Sequence, residues 1–116
     1  MQTNVLTDRQ YTELPKRLIE GIEQRYKSIP LNSLKHPQYI LKKPLYITLE
    51  TDENDKVIAS LDEIEAFAYA DTEFEAINLL CEEIINLYED LKDSSEDLGV
   101  LPRKWLQYLK EVIEKR

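Results

Sequence analysis

The sequence predicts an α+β domain: a small antiparallel sheet of three strands, or four if a proline-rich arm lies along its edge. One long amphipathic helix packs the sheet, and further helices stand at the N- and C-terminal ends. Three observations predict it. Leu45 to Leu61 contains two segments of strict apolar-polar alternation, an aromatic third segment follows, and Asp71-Thr72-Glu73-Phe74-Glu75-Ala76 then opens a stretch with helical spacing. At 116 residues the chain is one domain's worth. It divides into an N-terminal helical segment (1–27), a proline-rich arm (28–44), a β-β-β-α core (45–97) and a C-terminal helix (98–116).

Pro15 suits the first position of a helix, where its missing N–H has no partner to lose. Leu14, Leu18, Ile19, Ile22 and Tyr26 then recur at helical spacing, with Lys16, Arg17, Arg25 and Lys27 mostly on the other side. Pro30, Pro37 and Pro44 forbid a continuous helix through the arm and bias it toward extended backbone. Its second half, Gln38 to Lys43, is the part suited to a sheet edge.

Leu45, Ile47 and Leu49 alternate with Tyr46, Thr48 and Glu50. After the polar loop Thr51 to Asp55, Val57, Ala59 and Leu61 alternate again, which makes a hairpin. Asp62 to Glu65 is a second loop, and Ala66 to Ala70, with Phe67 and Tyr69 on one face, is the third strand. Thr72 and Glu75 have the spacing of a capping box, in which the threonine oxygen accepts from an early helix N–H and the glutamate reaches back to the threonine N–H. Phe74, Ile77, Leu80, Cys81, Ile84, Leu87, Tyr88 and Leu91 then form one apolar stripe. Glu73, Glu82, Glu83, Glu89 and Asp90 fill the opposing face. Beyond the connector Asp93 to Gly99, Pro102 starts a last helix with Trp105, Leu106, Leu109, Val112 and Ile113 on one side. Trp105 and Leu109 are candidate anchors for the core or for a homodimer.

The net charge of −8 conceals a segregation. Residues 1–44 carry eight Lys/Arg against four Asp/Glu, residues 45–97 two against seventeen, and residues 98–116 five against two. An acidic middle disfavours direct nucleic-acid binding and contact with anionic membranes, and favours a basic protein partner. The plain alternative is that this charge only keeps a small domain soluble. A single cysteine rules out an internal disulfide, and no apolar run approaches a membrane span or a signal peptide, so a cytoplasmic protein is expected.

The residue types that carry catalysis are sparse. His36 is the only histidine, so no Ser-His-Asp or Cys-His pair can form, and its place before Pro37 reads as an exposed linker. Cys81 falls on the apolar stripe as a small core residue. Asp52, Asn54 and Asp55 resemble the start of a calcium loop in composition. Its obligatory glycine position falls on Val57, however, and its closing position reaches Glu63 only by running through the second strand. Asp62, Glu63 and Glu65 could hold magnesium, but clustered loop carboxylates are ordinarily solvated. The glycines, Gly21 and Gly99, make no phosphate-cradling loop. The expectation is a protein that binds a partner, with no enzymatic activity, no metal and no cofactor.

Leu45-Tyr46-Ile47-Thr48-Leu49-Glu50, Val57-Ile58-Ala59-Ser60-Leu61 and Asp71-Thr72-Glu73-Phe74-Glu75-Ala76-Ile77, taken in that order, resemble the HicB-like antitoxins of bacterial toxin–antitoxin pairs over about residues 45–91. The resemblance implies a truncated ribonuclease-H-type sheet with one long helix, catalytically inert, that binds and masks a small basic HicA-type ribonuclease. The chain departs from the family in the loop Ser60 to Glu65, which lacks the usual proline and glycine. A single helix after Pro102 is not a complete helix-turn-helix, so the DNA-binding element of many members is not expected here.

Overall fold

The computed structural model describes residues 26–116. Alternation drives the centre of the fold. Strand β3 (Leu45–Thr51) turns into β4 (Val57–Leu61), a 3-10 turn (Asp62–Ile64) follows, and β5 (Ala66–Ala70) completes an antiparallel meander. Ile47, Ala59 and Leu61 have no solvent exposure, because the even-numbered partners between them carry the polar side of the period-two pattern. The 3-10 turn is more than a connector: Ile64 plugs the core beneath it, and Glu65 closes it in the left-handed region at φ 54°.

The sheet has four strands, the larger of the two expected numbers. Its fourth member is β1 (Tyr26–Leu31), antiparallel to β3 with Ile29 opposite Ile47 and Leu31 opposite Leu45. Tyr26 and Lys27 therefore open a strand instead of ending a helix; the rest of the expected N-terminal helix, residues 1–25, lies outside the described residues. Pro30 is tolerated because β1 is an edge strand, where one missing ladder donor can face outward. The remainder of the arm is also structured. Leu34 and Tyr39 are buried, and β2 (Tyr39–Leu41) pairs with β6 (Ile113–Lys115) in a separate two-stranded ribbon, so Gln38 to Lys43 does not extend the main sheet. Bonds from Lys42 N to Val112 O (2.8 Å) and from Arg116 N to Gln38 O (2.8 Å) continue that clamp at both ends.

Helix α1 (Glu73–Asp93) lies on the inner face of the sheet, buried along Ala76, Leu80, Cys81, Ile84, Ile85, Tyr88 and Leu91. Ala66, Ala68 and Ala70 line that face of β5 and let the helix approach closely. Thr72 caps its start, its Oγ1 accepting from Glu75 N at 3.1 Å. The reciprocal half of the box differs from expectation, since Glu75 Oε1 accepts from the Thr72 hydroxyl at 3.0 Å. Helix α2 (Val100–Val112) then packs Leu106, Leu109 and Val112 into the same core. It stops one residue before Ile113, which was expected on the helix stripe but belongs to β6, where ribbon pairing overrides local helix propensity.

Candidate acidic docking surface

The outward side of α1 carries a continuous acidic row. Glu75, Glu82, Glu89 and Asp93 follow one another at steps of seven, seven and four residues, with Glu83 and Asp90 beside them and Leu79 and Asn86 between. From Glu75 to Asp93 the row runs about 27 Å, at about 1.5 Å per residue. Glu82, Glu83 and Asp90 are exposed, and among the described residues no cation lies within ion-pairing distance of any of the six carboxylates. Glu75 and Asp93, read from the sequence as a cap and a connector, extend the surface by about two turns at its start and about one at its end.

Glu73 and Glu89 sit differently from the other expected members. Glu73 is in the first turn on the sheet side and pairs with Lys27 of β1 at 3.0 Å. Glu89 is half-buried, and its Oε2 accepts from the Tyr39 hydroxyl at 3.0 Å. Burial pushes the Tyr39 phenol up from its ordinary value, and the hydrogen bond and negative charge of Glu89 push it further. Lys92 lies 4.5 Å from the Tyr88 ring centre and 5.5 Å from that of Tyr39, so the basic residue in the last turn is drawn onto aromatic faces. Glu89 therefore fastens the arm to α1, a role that no local signal could reveal because Tyr39 lies fifty residues away in sequence.

The Asp52 loop is a turn built on its own carboxylate. Oδ1 accepts from Asn54 N (2.8 Å) and Lys56 N (2.9 Å), Oδ2 accepts from the Tyr69 hydroxyl (2.7 Å), and Asp55 takes the left-handed conformation at φ 62°. That bond to Asp52, with some burial, raises the Tyr69 phenol above its ordinary value. Short Asp side chains favour such turns, so this was the available sequence signal for Asp52 to Asp55. Lys56 reaches Asp71, which ties the hairpin to the start of α1.

Cys81 is buried and donates weakly to Ser33 O at 3.8 Å; burial holds its thiol up, opposite to the shift a nucleophile needs. His36 leans on Tyr39 with ring centres 5.0 Å apart, and its Nδ1 accepts from Gln38 N at 3.0 Å. Asp62, Glu63 and Glu65 stay exposed around the 3-10 turn, and among the described residues no three His, Cys, Asp or Glu side chains are grouped to hold a metal ion. No helix among the described residues is long and apolar enough to cross a membrane.

Leu109 is wholly buried in its own domain and offers no surface to a second copy. Trp105 is only partly buried and forms one wall of a cleft of about 310 Å³, with Ile64, Glu65, Phe67, Glu83 and Leu87 among the other lining residues. The outer sheet face carries no covering layer among the described residues: Tyr26 is 51 % exposed, Tyr46 66 %, Phe67 66 % and Tyr69 50 %. Comparison of the chain with protein-family models, with curated proteins and with solved structures found no match.

Proposed function

We propose that this chain is a non-catalytic binding module that captures a small basic protein on the outward face of α1. In its specific form it is an antitoxin of the HicB-like kind, with a HicA-type ribonuclease as the partner. The observation that carries the reading is the acidic row, which has no paired cation among the described residues. Glu89 and Asp93, and Asp90 and Asp93, are like-charge neighbours in the last turns of α1, where the helix dipole also disfavours negative charge. Apart from the bond that Glu89 accepts from Tyr39, a free domain gains no stability from that arrangement. A basic partner relieves all of it at once.

The meander β3-β4-β5 running directly into α1 supports the antitoxin form, because that order carries the resemblance. The probe is the product of the neighbouring gene, which the reading requires to be a short, basic, histidine-containing protein. Its ribonuclease activity is measured alone and with an equimolar amount of this chain. Suppression supports the reading, and unchanged activity contradicts it.

A second reading, a homodimeric scaffold or regulatory subunit, is favoured by the open aromatic face of Tyr26, Tyr46, Phe67 and Tyr69. Sedimentation separates the two. A dimer that Phe67→Glu dissociates into folded monomers supports the scaffold, and a monomer at high micromolar concentration removes it.

A further inference from the structure

The two edges of the main sheet are protected very differently. Strand β1 carries Pro30 and Lys27, residues that discourage another strand from pairing. Strand β5, Ala66-Phe67-Ala68-Tyr69-Ala70, has no proline and no charge. Among the described residues its backbone hydrogen bonds are those of the β4 ladder, so one whole edge of amide and carbonyl groups is open. The Trp105 cleft lies against that edge and shares Ala66 and Phe67 with it. Neither Glu65 nor Glu83, both in the cleft wall, has a cation within ion-pairing distance among the described residues.

We infer that the open edge of β5 accepts an extended strand from the basic partner, with an apolar side chain seated in the Trp105 cleft and lysine or arginine beside Glu65 and Glu83. The inference rests on the basic-partner reading above and gives it a geometry. Charge selects the occupant. A second copy paired antiparallel about Ala68 sets Glu65 against the Asp71 of its mate, whose one partner cation, Lys56, is already committed, so neither Glu65 nor Glu83 gains a free cation from it. A strand with cations at its ends meets the opposite situation, and its main chain supplies the ladder bonds that strand addition depends on.

The test uses the synthetic peptide Lys-Lys-Thr-Val-Thr-Leu-Thr-Lys-Lys, titrated into the full chain and followed by backbone chemical shifts and amide hydrogen exchange. Binding with new protection on alternate residues of Ala66 to Ala70 is expected. Methylating two alternate peptide nitrogens keeps charge and apolar surface but removes two ladder donors, and should weaken binding by about thirtyfold. Glu65→Lys should weaken the unmodified peptide as well, whereas Glu114→Lys, exposed on the separate β2–β6 ribbon, should not. Absence of binding, protection elsewhere, or equal affinity for the methylated peptide overturns strand addition and leaves the acidic-surface reading standing. Equal affinity for a peptide with glutamate in place of every lysine overturns the basic chemistry and that reading together.

Discussion

If the acidic row costs the free domain stability, Asp93→Lys should make it more stable. Asp93 follows Glu89 by four residues and Asp90 by three, and each such like-charge pair costs roughly 0.3 kcal/mol on a helix surface. Lysine removes both costs, replaces them with attractions of similar size in the favourable acid-before-base order, and adds a cation to the last turn, for roughly 0.5 kcal/mol from the dipole. Asp93 is exposed, so these figures are discounted for solvent screening to a net gain of about 1 kcal/mol. For a domain of this size that raises Tm by about 4 °C. Thermal and urea unfolding are measured at about 20 mM and at about 1 M sodium chloride, where the Debye length falls to about 3 Å. A gain at low salt that largely fades at high salt is expected. Unchanged stability, or a gain independent of salt, refutes the reasoning.

Thr72→Ala removes the Oγ1 acceptor at the start of α1 and should lower stability by about 1 kcal/mol in urea unfolding; an unmoved midpoint means that the cap contributes nothing. Leu109→Ala empties a fully buried site and should cost about 3 kcal/mol with an unchanged denaturant slope and no dependence on protein concentration, as expected of a residue that anchors its own core. The raised Tyr39 phenol predicts the alkaline limb of stability. Above the ordinary tyrosine value of about 10 the unfolded chain releases the proton that the native state retains, so this contribution is whole below that pH and is lost as pH rises through the native value. Tyr39→Phe should delete one late-titrating phenol from the ultraviolet titration, and an unaltered late limb counts against the Glu89 contact.

The meander and α1 were legible because their signals are local. Period-two alternation marked β3 and β4 and the Thr72 cap marked the start of α1; the expected segments match the observed Leu45–Thr51, Val57–Leu61, Ala66–Ala70 and Glu73–Asp93 closely. Strand β1 was hidden because Tyr26 also falls at helical spacing from Ile22, and because Pro30 reads as a breaker unless the strand is known to be an edge. The β2–β6 ribbon joins residues such as Tyr39 and Lys115 that lie far apart in sequence, and three-residue strands carry too little pattern to announce such a pairing. The acidic row itself was visible from helical spacing. What the sequence could not convey was which carboxylates are committed elsewhere: Glu73 to Lys27 and Glu89 to Tyr39.

The central claim, that exposed carboxylates of α1 are a docking surface, is tested by titration calorimetry of the basic partner against the wild type and against Glu82→Lys/Glu83→Lys/Asp90→Lys. These three residues are exposed and, among the described residues, make no tertiary contact of the kind that holds Glu89, so the variant should keep a near-native Tm. The account predicts that wild-type affinity falls as salt rises and that the variant binds at least about a hundredfold more weakly. A folded variant that binds the partner with wild-type affinity contradicts it.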